Sequence, residues 1–574
     1  MAVVVPVAVM LALGLWGLDR GGMWGDEGVT YLVGRRTVPQ IWHLLHGVDA
    51  VHGLYYLLMH AVLAVHPGEV ALRLPSVCGA AATAGLVAAL GARLARSRVG
   101  LWAGLLYAIT PLTGHYAQEG RSYAIVAAGV AGATLLLVRA LEGRSWWPYG
   151  AVLAVTFLLH EFAVLVLCAH VLTLLAARVP RAVWAGWGRA AGVAVGILLP
   201  LAWVSQRQSG QVAWLRVPDR DTTERLARGF LAVTPTGVVF WISVLLILLG
   251  LGAGRLASVA LPLLVVPPTI LLTVSQFRPL FHERYVLYAL AGAPLLVAAG
   301  ADWLVGAVGR LRLGDLLHPE NDLVVTRVTG ATGEESHPRL VGALTSSHAS
   351  VHGVDRTTGP ARALPPRPSR SDTHRTPVSG RPAPRRTPFP LLALAGVLAV
   401  AVPFLHGLPA YRNDRLAAHR PENLAEVSAL AGRELRPGDP VLFLPSFWRV
   451  TALAYPGPFA GVRDLALAES GARSGTLSGR EVAPGELEAG LAGVDRVWIV
   501  AQSNLLPSRW VPGDPVDRVK LDVVDGEFAR RRQYVSGRVK LALYIRRMPP
   551  QDMVVPAPEH KVMPAPVPPS PAHP

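Results

Sequence analysis

Apolar residues in this chain come in long unbroken runs, separated by short stretches where the charges gather. A membrane-crossing helix needs about 20 mostly apolar residues, within a range of about 17–25. By that measure candidate spans lie at 1–18, 71–92, 99–114, 122–141, 147–159, 162–177, 190–204, 231–252, 256–275, 285–306 and 389–407, about eleven in all. The opening run lacks a basic start and a small-residue cleavage site before Asp19 and Arg20, so it reads as a retained span rather than a removed signal. The run 52–66, HGLYYLLMHAVLAVH, is short and punctuated by His52, His60 and His66. It reads as an amphipathic helix lying against the membrane.

The connections alternate in character. Arg93, Arg96 and Arg98 follow the second span, Arg139 and Arg144 the fourth, Arg178, Arg181 and Arg189 the sixth, and Arg255 the eighth. Short basic loops face the cytoplasm. The other loops, 19–70, 115–121, 160–161, 205–230 and 276–284, then face outward, and they mix acids, His, Arg and aromatics. Residues 309–388 are rich in Arg and Pro and poor in apolar runs, which predicts a disordered cytoplasmic linker before the final span at 389–407. Residues 408–548 change pattern again. ENLAEVSALAGREL (422–435) and GELEAGLAG (485–493) have helical periodicity, while PVLFLPSF (440–447), DRVWIVAQS (495–503) and VKLALYIRR (539–547) read as strands. This predicts a small extracytoplasmic α/β domain, followed by a Pro-rich disordered tail at 549–574.

Composition agrees with a multi-pass protein of the cell membrane. The chain has 574 residues, 52% hydrophobic and 16% charged, where a soluble domain carries roughly 25% charged residues. The net charge of +16 does not imply nucleic acid as a partner, because the basic residues are Arg flanking apolar runs, with Lys only at 520, 540 and 561. Cys78 and Cys168 sit inside apolar runs and read as small buried hydrophobes, with no disulfide framework.

Three outward clusters could carry chemistry. The first is Trp24-Gly25-Asp26-Glu27-Gly28-Val29-Thr30-Tyr31, with adjacent carboxylates just beyond the first span. Taken alone it reads equally as a solvated loop or a helix cap. The second is His115-Tyr116-Ala117-Gln118-Glu119-Gly120-Arg121-Ser122-Tyr123 at a span end, where ionisable residues are costly and often functional. The third runs from Arg278 through His282, Glu283 and Arg284 to Tyr285. Such a gathering suits a substrate with a lipid tail, a phosphate and a sugar. Arg would hold phosphate, Trp and Tyr would stack on sugar, and a carboxylate would act as base. His160-Glu161 starts like a metalloprotease motif, but Val164 stands where the second His is needed. No Walker A sequence occurs.

In this order the clusters resemble the GT-C membrane glycosyltransferases, above all the family 39 type that includes protein O-mannosyltransferases and aminoarabinose transferases. Asp26-Glu27 is similar to that family's acidic pair in the first outer loop. Leu54-Tyr55-Tyr56-Leu57-Leu58, followed by Ala71-Leu72-Arg73-Leu74-Pro75-Ser76, resembles its juxtamembrane helix and second span. Gln118 to Tyr123 resembles its QE-x-R-x-Y motif, and Arg284-Tyr285 its late RY pair. Gly53 stands where the family often has Pro, and Gly120 where Ala is common.

The resemblance implies a GT-C-like catalytic module over 1–308. Its donor would be a polyprenyl-phosphate sugar of mannose or arabinose type, and its acceptor an extracytoplasmic glycan, lipid or protein. Asp26 would be the base, with Glu27 and Glu119 orienting the acceptor, the base or a bound divalent metal. Arg121 and Arg284 would stabilise the phosphate. Trp24, Tyr31, His52, Gln118, Tyr123, Arg278, His282 and Tyr285 complete the expected substrate site. No metal ligand is assigned, and a divalent metal is the one cofactor left open. Two competing readings are a lipid-linked sugar transporter or flippase and a non-catalytic membrane scaffold. Clustering of polar residues at one face, without a repeated half, disfavours the first.

Overall fold

The computed structural model describes residues 1–232, 237–317, 389–416, 422–503, 505, 512–547 and 559–560. The chain forms two units, Met1–Gly309 with Ala393–Pro574, and Arg310–Leu392. In the first unit α1 (Val4–Leu15) leads into the short helices α2 (Gly25–Gly34), α3 (Val38–Gly47) and α4 (Gly53–Val65). The long helix α5 (Glu69–Leu94) follows, then α6 (Ser97–Ala108), α7 (Pro111–Ala117), α8 (Tyr123–Leu141), α9 (Trp147–Leu159) and α10 (Val166–Ala176). Next come α11 (Arg181–Arg207), α12 (Arg220–Leu231), α13 (Gly237–Gly250) and α14 (Ala257–Val274), and then α15 (Gly292–Leu317) and α16 (Phe389–Asn413), each of which begins or ends in the second unit.

Among the described residues a helix overlaps each predicted span, but length divides them. Among the described residues, five helical stretches are long and apolar enough to cross a membrane: Glu69–Leu94, Tyr123–Leu141, Arg181–Arg207, Ala257–Val274 and Glu283–Ala307. The helices at 4–15, 147–159, 161–176 and 237–250 are shorter. Apolar side chains cover the outside of the bundle: α13 leaves Trp241, Ile242, Leu245 and Leu248 each at least half exposed. Water would not tolerate such a surface, and lipid does. The chain is a membrane protein.

Three expectations change. Cys78 and Cys168 are exposed rather than buried, since each lies on an outward helix face. The linker expected over 309–388 begins later, because α15 continues to Leu317; the rest of it up to 388 lies outside the described residues. In the expected tail, Glu559–His560 forms a short strand, and 549–558 and 561–574 lie outside the described residues.

The C-terminal region is built on a sheet. After α17 (Leu424–Glu434) come β1 (Pro440–Leu444), α18 (Val450–Ala454), β2 (Arg463–Asp464), β3 (Leu467–Glu469), β4 (Arg480–Glu481), β5 (Arg496–Gln502), β6 (Phe528–Ser536), β7 (Val539–Arg546) and β8 (Glu559–His560). Six strands form one sheet in the order β2-β1-β5-β7-β6-β8. β1 is parallel to β2 and β5, whereas β7 is antiparallel to β5 and β6. β1 is buried along its whole length, which its unbroken apolar run PVLFL allows.

The two ends of the helical bundle differ. At one end Arg93 and Arg255 meet Glu142, and Arg96 and Arg98 meet Asp302. Toward the other end of α5, about 30 Å along its axis from Arg93, Arg73 meets Glu27, and the sheet region packs nearby.

Candidate functional site

The site grows from the start of α2. Asp26 and Glu27 occupy its first turn, where the helix dipole favours acids. Successive helical residues point in different directions, and the two carboxylates part company. Glu27 turns inward and is fully buried. Arg73 Nε donates to its Oε1 and Arg73 Nη2 to its Oε2, both at 2.8 Å, and the Gly120 backbone N–H also donates to Oε1 at 2.8 Å. Arg73 further donates to the carbonyls of Leu18, Arg20 and Gly22. Glu27, expected to orient the acceptor, the base or a metal, thus has both oxygens engaged by Arg73 and Gly120, which ties the start of α2 to α5 and to the 118–121 segment.

Asp26 turns the other way. Its Oδ2 accepts from Arg284 Nη1 at 3.0 Å. The guanidinium of Arg284 sits among three aromatic rings, 5.4 Å from the centroid of Tyr123 and 5.7 Å from those of Trp24 and Tyr285. Arg121, fixed by a Ser76 hydroxyl donating to its carbonyl, donates from Nη1 to Thr30 Oγ1 and from Nη2 to His52 Nε2. His52 therefore accepts at Nε2, and burial followed by the charge of Arg121 pushes its pKa well down, keeping it neutral. Glu119 is buried beside the cluster. Burial raises its pKa, and Arg284 and His115 oppose that rise. His282 accepts the backbone N–H of Arg284 and is pushed down to about 3 by burial and by Arg284.

Asp26, Glu119, Arg121, Arg284, Trp24, His52, Tyr123, His282 and Tyr285 thus gather at one end of the bundle. Several of their buried polar atoms have no protein partner: Glu119 Oε2, Arg284 Nε, His52 Nδ1 and, next to them, His160 Nδ1. Buried polar groups are normally satisfied, so this set has capacity for a ligand. Three expected residues stand apart. Gln118 spends its amide on the carbonyls of Gly14 and Trp16, tying down the end of α1. Tyr31 faces Arg35, whose guanidinium lies 5.2 Å from its ring. Arg278 donates to Gln206 instead of joining Arg284. Among the described residues, no group of three or more His, Cys, Asp or Glu could hold a metal ion.

The sequence reading missed three residues. Asp49, in the left-handed backbone region at φ 58°, accepts from the Tyr56 hydroxyl at 2.7 Å and interacts with Arg121 and Asp26. His160 packs 5.0 Å from the Tyr285 ring. Glu422, from the C-terminal region, accepts the Gly25 backbone N–H at 3.2 Å. Burial and then Asp26 raise its pKa. An acid three residues before His52 was a usable signal for Asp49; Glu422, 397 positions from Gly25, left none.

A family model described as dolichyl-phosphate-mannose-protein mannosyltransferase matches residues 52–205. No curated protein matches the chain significantly. Among solved structures the chain is similar to ArnT from Cupriavidus metallidurans in the apo state, at 14% identity over 94% of this chain and 97% of that one, with a TM-score of 0.49. It is also similar to the same protein bound to undecaprenyl phosphate, at 14% identity, the same coverage and a TM-score of 0.45. The family match spans residues 52–205, the stretch that holds His52, Arg73 and the Gln118–Tyr123 segment.

Proposed function

We propose that the protein transfers a sugar from a polyprenyl-phosphate donor to an extracytoplasmic acceptor. The observation that carries this reading is the Asp26–Arg284 contact at 3.0 Å, with Arg121 close enough to interact electrostatically with the same carboxylate. A base beside two fixed cations is what the reaction needs. The Asp26 carboxylate takes the proton of an acceptor hydroxyl, whose oxygen bonds to the anomeric carbon. The bond from that carbon to the phosphate oxygen breaks, and its electron pair leaves on the lipid phosphate. Arg284 and Arg121 offset the charge that develops there. Attack opposite the leaving phosphate inverts the anomeric centre. The lipid phosphate is a good leaving group, so no general acid is required.

The polarity of the bundle supports an extracytoplasmic site. The Arg-rich short loops lie at the end away from Asp26, and such loops stay in the cytoplasm. The sheet region, beside Asp26, is then extracytoplasmic too.

The test is full-length protein in proteoliposomes with radiolabelled polyprenyl-phosphate mannose and polyprenyl-phosphate arabinose, plus an envelope extract as acceptor source. Asp26→Asn should reduce label transfer by about 10²–10⁴-fold while helical content and membrane insertion stay normal. Near-normal transfer by Asp26→Asn would overturn the assignment. Movement of intact donor across the bilayer without a covalent product would favour the transporter reading instead.

A further inference from the structure

The Glu161 dismissed from a metalloprotease motif lines a cavity. A space of about 240 Å³ opens among the segment 161–165, the end of α11, the turn 209–212 and the segment 276–285. Tyr285 forms part of its wall, and the neighbouring residue in the chain is Arg284, the partner of Asp26. The Tyr285 ring therefore borders both the cavity and the proposed site, its centroid 5.7 Å from the Arg284 guanidinium.

Its lining has a particular chemistry. Phe162 and Tyr285 stack at 5.5 Å with an interplanar angle of 26°, presenting an aromatic wall. Among apolar neighbours such as Val164, Leu198 and Leu280, the side chains of Glu161, Gln206 and Arg278 bring acceptors and donors to the same space, while the Gln208 amide is held by the Ala50 N–H and the Leu45 carbonyl. Arg278 Nη1 donates to Gln206 Oε1 at 2.8 Å, which fixes both side chains against each other. A lipid tail would need none of these polar groups. A small phosphate would need no aromatic wall, and the carboxylate would repel it. A ring that has an apolar face and carries hydroxyl groups on its edge uses all of them. The volume falls below the range of about 300–1,000 Å³ typical of drug-sized ligands, so a single ring fits better than an oligosaccharide.

We propose that this cavity receives the sugar of the donor, and that Glu161 and Arg278 select which sugar is accepted by bonding its polar substituents. The proposal rests on the glycosyltransferase reading and adds its specificity pocket. Sites built to hydrogen-bond a substituent reject the analogue that lacks it, because their own polar groups are then left unpaired.

The experiment is competition binding with full-length protein in nanodiscs. The probe is a fluorescent polyprenyl phosphate, and the competitors are bare polyprenyl phosphate and its mannose, glucose and arabinose derivatives. Wild type should bind one sugar derivative at least about tenfold more tightly than the bare lipid. Glu161→Gln should bring that preference to within about twofold without changing affinity for the bare lipid, and Gln206→Ala should weaken it in the same direction. The unfolding temperature of each variant checks its fold. Two results would overturn the pocket: a wild type that binds the bare lipid but prefers no sugar, or a Glu161→Gln protein with undiminished preference. A wild type that binds neither bare nor sugar-bearing lipid would defeat the functional reading itself, and the pocket with it.

Discussion

Arg284 Nη1 and Asp26 Oδ2 stand 3.0 Å apart, joining residues 258 positions distant in the chain. The pair places the proposed base beside the cation that would receive the leaving phosphate. Arg284→Gln removes that cation, so transfer should fall by about 100-fold or more. Arg284→Lys keeps the charge but loses the planar fork, and should lie between Gln and wild type. Turnover with a polyprenyl-phosphate sugar measures both, and equal rates for all three proteins would exclude Arg284 from the reaction.

Glu27 should behave differently from its neighbour. Its pair with Arg73 is fully buried on both sides, and Arg73 also holds three loop carbonyls. Removing one partner of a buried pair typically costs about 3–5 kcal/mol, since the other charge is left uncompensated. Glu27→Gln should lower the unfolding temperature in detergent sharply, with activity lost in step. Asp26→Asn should lose activity at nearly unchanged unfolding temperature. Equal unfolding temperatures for the two variants would contradict the division of roles.

That division marks what the sequence could show. Asp26-Glu27 stood out as an acidic pair, but a string of letters does not say which way two adjacent helical residues face. Gln118 and Arg121 stood out as one motif, yet Gln118 ties α1 while Arg121 enters the site. The helical runs were legible because apolar length is a direct physical requirement of the membrane. β6 was not, since ARRRQYV alternates little and is half exposed, and helix Pro515–Glu527 was not, since charges interrupt its apolar positions Val516, Val519, Val523 and Val524. Glu422 reaches the site through tertiary packing alone, whereas Asp49 lies three residues from His52.

Asp49 gives a pH-dependent prediction. Burial raises its pKa above the ordinary 3.8, although the Tyr56 hydroxyl bond pulls it down. The folded state then holds the proton more tightly than the unfolded one. The stability this gives is complete below pH 3.8 and is lost as pH rises through the folded-state value. At neutral pH the buried carboxylate is a net cost. Asp49→Asn still accepts from Tyr56 and carries no charge, so it should unfold at an equal or higher temperature than wild type at pH 7, the difference shrinking as pH approaches 4. A variant less stable at pH 7 would show that Arg121 outweighs burial.

The C-terminal sheet region closes over α2, and this contact should matter to activity. Leu424 N–H donates to the Met23 carbonyl, Met23 N–H to the Tyr455 hydroxyl, and Arg36 Nη2 to the Thr476 carbonyl. Gly28 lies at the centre: a Cβ there would stand 2.8 Å from methyl groups of Leu424 and Val450. Real Cβ contacts are not that short, so both buried methyls must shift for Ala, and they cannot make room for Leu. Gly28→Ala should therefore loosen the contact in part. Gly28→Leu should push the sheet region off α2, which limited proteolysis would register as faster release of a sheet-containing fragment. Because Glu422 holds the Gly25 N–H one residue before Asp26, loosening this contact should also displace the proposed base, and transfer should fall together with protease resistance. Fast proteolysis with full transfer would show that the sheet region covers the site without shaping it.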